Sequence, residues 1–262
     1  MAKLEKALLA LNEFGRSRKS DISPVAAVIV TLFYIIIVLT VPVSAPQRLV
    51  WMAGYPVMMA EYCGAGFVRV FVKSLWVLPF VILIGIFNPI FDHNPGIKIA
   101  EVNVTAGWIS FISIILRGLL SMQSLIILGY MAGFLDICSS LRRIHIPRIL
   151  VTQLLLSYRY LNVLIEEALS MRRARQARGF GSDKLSLSLW AALVGQLLVR
   201  SADRASTIHR AMLARGFDGV LPLVDRGKSR DKNSILFAVT VCVAVALLRW
   251  LPFDSWFGFI NF

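Results

Sequence analysis

The sequence predicts an all-α integral membrane protein, with about five transmembrane helices and two long helices on the cytoplasmic side. Three observations carry this. Hydrophobic residues make up 57% of the 262 residues and charged residues only 16%, and the mean hydropathy is +0.71. A soluble domain of this length needs far less apolar material, whereas long apolar runs with few charges mark spanning helices. Positive charge is also lopsided: of 28 Lys and Arg, five lie in residues 1–20, 17 in 136–232 and six elsewhere. Such asymmetry marks cytoplasmic segments, so the net charge of +13 implies no nucleic-acid partner. Finally, a basic stretch repeats. Arg173-Ala174-Arg175-Gln176-Ala177-Arg178-Gly179-Phe180 returns 37 residues later as Arg210-Ala211-Met212-Leu213-Ala214-Arg215-Gly216-Phe217.

Residues 2–17 set Leu4, Ala7, Leu8 and Leu11 at helical spacing among Lys3, Glu5 and Lys6, the pattern of a short amphipathic helix at the cytoplasmic face. The stretch is too charged for a signal-peptide apolar region, so the first span is expected to be retained. That span is 22–43, with Ile35, Ile36 and Ile37 at its middle and Pro42 and Pro46 at its end. Residues 49–60 are apolar but short and close on Glu61; they read as a crossing, with a re-entrant piece as the alternative. Arg69 and Lys73 return the chain to the positive side, and 75–91 cross outward. Residues 88–104 hold Pro89, Asp92, His93, Asn94, Pro95 and Gly96 with one Lys, and read as an outer polar loop. Residues 105–135 form the next span and contain Arg117. An ion in an apolar stretch marks either function or an Arg that faces the bundle and bonds a carbonyl or a head group.

From Asp136 the character changes. Pro147 suits the start of a helix, and Leu154, Tyr158, Leu161, Ile165 and Ala168 then form one apolar stripe on a polar rod. Gly179 and Gly181 stop it. Ser182 and Asp183 can cap a second rod, whose stripe is Trp190, Val194, Leu197, Ala205, Ile208 and Met212. Both rods are too polar to span. Residues 228–232 form a charged linker and 234–251 a last span. The expected regions are therefore 1–135, 136–232 and 233–262. Counting charge places the N-terminus inside and the C-terminus outside, which five crossings satisfy.

No catalytic set is visible. His93, His145 and His209 are scattered, and Cys63, Cys138 and Cys242 have no ligand spacing, so no metal site and no cofactor is expected. The Cys side chains read as apolar filler. A phosphate-binding Gly-rich loop is missing, as is any Gly-x-Ser-x-Gly motif. A self-contained channel or carrier predicts polar residues along the spans, which are scarce. A membrane enzyme predicts His, Asp or Ser clustered at one face, which the sequence lacks. Each basic repeat ends a helical pattern with an Arg in the last turn and a Gly just past it. One such copy is an ordinary helix end; two copies sharing flanking residues suggest a duplicated contact device and a partner that comes in two copies.

With these residues in view, the chain resembles the transmembrane (T) subunit of energy-coupling factor transporters. That family carries two Ala-Arg-Gly motifs at the tips of two cytoplasmic coupling helices, here Ala177-Arg178-Gly179 and Ala214-Arg215-Gly216, the second continuing into Phe217-Asp218-Gly219. Within it the chain is most similar to CbiQ, the T subunit of cobalt importers. The supporting stretches are Gly85-Ile86-Phe87-Asn88-Pro89, Ser157-Tyr158-Arg159-Tyr160, Gly195-Gln196-Leu197-Leu198 and Arg200-Ser201-Ala202-Asp203-Arg204. One departure precedes the first span, where Asp21-Ile22-Ser23-Pro24 replaces the family's His-Pro and Lys. The resemblance implies a non-catalytic subunit in the cell (inner) membrane. It implies two cytoplasmic ABC-type ATPase subunits, which take Arg178 and Arg215, one each, in acidic grooves. It also implies a separate CbiM-like membrane subunit that binds the substrate and carries the metal ligands.

Overall fold

The computed structural model describes residues 22–43, 46–91, 95–99, 102–144, 146–178, 187–219 and 232–250. The chain divides into two compact units: an apolar unit from the described parts of Arg18–Gly133 and Arg226–Phe262, and a basic unit from those of Phe134–Asp225. The architecture is helical, as expected, and the helices follow from the pattern of apolar runs and breakers.

In the apolar unit, helix α1 (Pro24–Thr40) starts where Ser23 and Pro24 dictate. The Ser23 hydroxyl accepts from the Ala26 amide at 3.3 Å, and Pro24 fills the first helical position, where no amide is needed. The stretch that departs from the family pattern is thus a helix cap. The Ser23 amide also donates to the Ser234 hydroxyl at 3.1 Å, tying α1 to the last helix. Beyond α1 the chain turns and leaves carbonyls without intrahelical donors. Arg117 Nη2 donates to the Val41 carbonyl at 2.7 Å, and one turn earlier the Ser113 hydroxyl donates to that of Val43 at 3.0 Å. Of the two readings of Arg117, the structure selects the one that bonds a carbonyl inside the bundle.

The segment expected as one crossing at 49–60 is two short helices, α2 (Pro46–Met52) and α3 (Gly54–Tyr62). Pro56 explains the break: it has no amide to give the carbonyl of Met52, four residues earlier. Tyr34 of α1 answers that carbonyl instead, its hydroxyl donating to Met52 O at 3.0 Å. The Tyr34 ring stacks on Tyr55 at 4.3 Å between centroids. Leu49, Met52, Tyr55, Met59 and Ala60 all enter the core.

Helix α4 (Phe67–Ser74), a 3₁₀ turn (Leu75–Val77), α5 (Leu78–Gly85) and α6 (Phe87–Phe91) follow one another closely. The stretch Phe67–Phe91 is long and apolar enough to cross a membrane, so this crossing begins eight residues before the expected 75. Arg69 and Lys73 sit in its first turns, and Lys73 Nζ donates to the Tyr130 hydroxyl at 2.7 Å. The expected polar loop 88–104 is corrected as well. Helix α6 runs into it, and β1 (Pro95–Ile99) pairs antiparallel with β2 (Val102–Thr105), Ile99 opposite Val102. The alternation of Ile97, Ile99, Val102 and Val104 with polar residues is a hairpin pattern that the Pro, Asn and Asp content of the segment obscures. His93 lies outside the described residues.

Helix α7 (Ala106–Met131) is the central post of this unit: α1 to α6 all pack on it. The last helix of the chain, α11 (Lys232–Trp250), packs on α1 and α2. Phe67–Phe91, Ala106–Met131 and Asn233–Trp250 are the three described stretches that reach membrane-crossing length, and α1 is a shorter apolar helix. The α5–α7 contact is close because each helix offers a glycine to the other. A Cβ on Gly118 would lie 2.8 Å from Val81 Cγ2, and one on Gly85 would lie 2.8 Å from Phe111 Cδ2. Small residues let helices approach in an apolar solvent that gives no hydrophobic drive to associate.

The basic unit contains α8 (Phe134–Arg143), α9 (Arg148–Arg178) and α10 (Leu187–Ala214). Phe134 of α8 stacks on Tyr158 of α9 at 4.6 Å. Cys138 is 1% exposed, and burial pushes its thiol up to about 11, which suits a neutral filler. The expected stripes are only partly those observed. On α9 the buried residues are Val151 and Thr152 near its start and Leu169 and Met171 near its end, while Leu154 and Leu161 are exposed. The reason is that α9 meets α8 at Tyr158 and α10 at Glu167, further along, so its buried side shifts. Along α10, Leu197, Ile208 and Met212 are half-buried while Trp190 and Val194 are exposed. Ser182 and Asp183 lie outside the described residues.

The glycine contact yields a test. Gly118→Ala should destabilise the detergent-purified chain by about 1–3 kcal/mol, the usual cost of overpacking, and Val81→Ala in the same chain should restore part of it. Thermal unfolding midpoints read this; an unchanged midpoint for Gly118→Ala would mean that α5 and α7 do not meet there.

Candidate functional site

The two basic repeats sit at the C-terminal ends of α9 and α10, so both belong to the basic unit. The end of α10 shows how such a tip is built. Helix geometry stops at Ala214. The Phe217 amide donates to the Met212 carbonyl at 3.0 Å and the Gly216 amide to that of Leu213 at 3.0 Å, the paired bonds of a Schellman cap. Gly216 sits at φ +78°, a conformation that costs a residue with a Cβ about 1–2 kcal/mol. Arg215 is thereby set on the final turn, just before the chain reverses, and Ala214, Arg215 and Gly216 are all exposed. In the first copy α9 ends at Arg178; Ala177 and Arg178 are exposed, and Gly179 lies outside the described residues.

Within each repeat the two shared arginines behave differently. The first of the pair turns back on its own helix: Arg173 Nε donates to Leu169 O and Arg210 Nε to Ser206 O, both at 3.4 Å. The second, Arg178 or Arg215, projects from the exposed end. The equivalence of these bonds at an offset of 37 residues makes the repeat structural as well as textual. Exposed Arg at a helix C-terminus complements the macrodipole, worth about 0.3–1 kcal/mol.

The two helices meet through a charge contact that sequence reading left unassigned. Glu167 of α9, its side chain 15% exposed, takes Arg204 Nη2 at 2.8 Å and Arg200 Nη1 at 3.5 Å. The first is a full charge-assisted hydrogen bond; the second lies beyond the usual N–H···O range and is the looser arm. Arg200 and Arg204 stand one turn apart on α10, so both reach the same carboxylate. The signal was present in the sequence as an Arg pair at i, i+4 with carboxylates on the other rod, but nothing there fixed which faces meet.

Beyond Glu167 the helices leave a cleft of about 500 Å³. Met171, Ala174, Arg175 and Arg178 line it from α9, and Leu193, Gln196 and Arg200 from α10. The first tip is therefore set in a basic hollow near the first half of α10, while the second stands at that helix's far end. Arg178 shares the cleft with residues 193–200, so the rise of 1.5 Å per residue places Arg215 roughly 25–30 Å further along the rod. Among the described residues no three His, Cys, Asp or Glu side chains come together as metal ligands, and His209 is exposed on α10. His145 lies outside the described residues.

Comparison with known proteins gives the family of the chain. The family model described as cobalt transport protein (CbiQ) matches residues 15–224, a range that contains both tips. The chain is 31% identical over 145 residues to the cobalt transport protein CbiQ of Salmonella typhimurium, covering 48% of this chain and 64% of that one. It is 29% identical over 133 residues to a putative fused cobalt transport protein CbiMQ of Methanocorpusculum labreanum, covering 50% and 22%. It is 25% identical over 117 residues to the nickel permease LarQ of Lactiplantibacillus plantarum, covering 45% and 43%. The alignments thus span less than two thirds of each relative. The family model, by contrast, takes in the last turns of both basic rods and the helices before them, and on that match the chain belongs to the CbiQ cobalt transport protein family.

Proposed function

We propose that this chain is the non-catalytic transmembrane coupling (T) component of an ATP-driven importer of the energy-coupling factor type, and that its cargo is cobalt ion. The observation that carries this reading is the pair of exposed arginine tips, Arg178 and Arg215, on one basic unit. Two like tips roughly 25–30 Å apart along a helical rod cannot share one groove, and they suit a partner with two subunits. Two cytoplasmic ABC-type ATPase subunits would each take one tip against acidic residues. A guanidinium is planar, always charged and able to hold a carboxylate by two parallel bonds, and the residues that recur in both repeats deliver that group at the end of a helix. A CbiM-like membrane subunit would bind the cargo and supply its ligands; the fused CbiMQ relative supports the pairing of the two kinds of chain. The relative named as a nickel permease makes nickel the competing cargo.

In this reading the apolar unit sits in the cell (inner) membrane, with the N-terminus and the basic unit on the cytoplasmic side. The charge distribution supports that orientation. A tag before Met1 should then be reachable from the cytoplasm and one after Phe262 from outside. Protection of both tags on the same side would refute an odd number of crossings.

The tips give the sharper expectation. Arg178→Ala and Arg215→Ala should each weaken pull-down of the ATPase chains, and the double change should abolish ATP-dependent cobalt uptake in vesicles while the chain still folds. The helix-end contribution lost is small, whereas truncating one member of a desolvated interfacial charge pair costs about 2–5 kcal/mol. Arg→Lys should rescue only in part, since an ammonium lacks the planar fork. Full uptake in the double variant would leave two ordinary helix ends and no coupling role. Uptake that responds to nickel and not to cobalt would keep the coupling role and replace the cargo.

A further inference from the structure

We infer that the groove between the start of α4 and the end of α7 holds the phosphate of an anionic phospholipid of the cytoplasmic leaflet. This assignment rests on the membrane orientation proposed above and on nothing at the two tips. Around α4, Val68, Phe71 and Val72 are exposed, while Val70 and Ser74 are buried. Arg69 and Lys73, one turn apart, are exposed as well, and at 3.6 residues per turn they fall on the border between the two sides. The stretch Phe67–Phe91 is long and apolar enough to cross a membrane, so the exposed apolar side of α4 faces acyl chains. The cations at its border therefore stand where hydrocarbon gives way to head groups. Long basic side chains near a helix end extend their charged heads into that layer, and basic pockets between spanning helices on the cytoplasmic side bind lipid head groups.

Both charges meet only neutral groups within the chain. Arg69 Nη2 donates to the Gly64 carbonyl at 3.3 Å. Lys73 Nζ donates to the Tyr130 hydroxyl at 2.7 Å and stands 5.0 Å from the centre of that ring. Glu61, the one carboxylate among the described residues of the apolar unit, accepts from the Phe67 amide at 3.1 Å, and no ion pair joins it to Arg69 or Lys73. Like charges one turn apart repel, and a phosphate between them removes that repulsion. The guanidinium has five donors and the ammonium three, so each keeps donors for an anion. Gly66, at φ +72°, gives the Arg69 head its place: a Cβ there would lie 3.3 Å from Nε and Nη2. Tyr130 belongs to the last turn of α7, and its amphipathic ring suits the level of the head groups. The exposed Phe71 and Val72 beside the two cations offer a surface to acyl chains, which favours a phospholipid over free phosphate.

The test titrates the full chain in detergent micelles with dioleoylphosphatidylglycerol and counts bound lipid by native mass spectrometry. Micelles have no sides, so the outcome is independent of the tag experiment on orientation. Phosphatidylglycerol should bind more tightly than phosphatidylcholine; equal binding of the two would refute a site for anionic lipid. Arg69→Gln and Lys73→Gln should each weaken phosphatidylglycerol binding about fivefold, the share of one cation near a membrane surface. Tyr130→Phe should leave binding equal or tighter, because it frees the ammonium. If Lys73→Gln and Tyr130→Phe weaken binding equally, Lys73 acts only by joining α4 to α7 and the site is refuted. Arg249→Gln, in the last turn of α11, should change nothing; a loss as large as that of Arg69→Gln would make the effect one of net charge and overturn the site. Displacement of bound phosphatidylglycerol by millimolar inorganic phosphate would make the groove a free-anion site and overturn the assignment to lipid.

Discussion

A carbonyl without a donor cannot be left in hydrocarbon, where water is absent and each such group costs several kcal/mol. That constraint explains three of the polar contacts of the apolar unit. Helix α1 ends at Thr40, and the carbonyls beyond it are met by Arg117 and Ser113 from α7. Pro56 withholds its amide from Met52, and Tyr34 supplies a hydroxyl in its place. In each case the break is made by one segment and repaired by another. The repairs therefore serve as tertiary contacts: they fix α1 against α7 and α1 against the α2–α3 pair. An arginine in an apolar helix, which sequence alone marks as possible machinery, is here a structural donor aimed at the end of a neighbouring helix.

The basic unit obeys a different rule. Its rods bury little, and α10 has no fully buried residue among those described. What holds the two rods in register is a short set of specific contacts, led by Glu167 with Arg200 and Arg204. Ion pairs with one exposed member contribute little stability, about 0.2–1 kcal/mol each. A pair of rods held so lightly is suited to changing its crossing, because few specific contacts oppose it.

Much of this was legible in the sequence. The spans at 22–43, 105–135 and 234–251 appear as helices with ends close to those expected, since long apolar runs leave one solution in a bilayer. The repeats announced both rod ends. What stayed hidden was set by tertiary choice. Pro56 signals a break, but only the packed structure shows that Tyr34 makes the break tolerable. The Ile97–Val104 alternation is a clear strand pattern, yet the Pro, Asn and Asp around it pointed to an open loop. The stripe on α9 was misjudged because one helix packs on two different neighbours along its length, which a single periodicity cannot encode. Glu167, Arg200 and Arg204 were visible as charges off the stripe; that they face each other depends on the rotation of each rod about its own axis.

The two tips are alike in sequence but belong to different helices of one chain: Arg178 borders a lined hollow, and Arg215 stands on a Schellman-capped end. A partner with exact twofold symmetry presents two identical sockets, so this chain breaks the symmetry of anything it joins at both tips. Equal occupancy then has unequal free energy. The two halves of such a partner would be distinguishable once bound, even if both were products of the same gene.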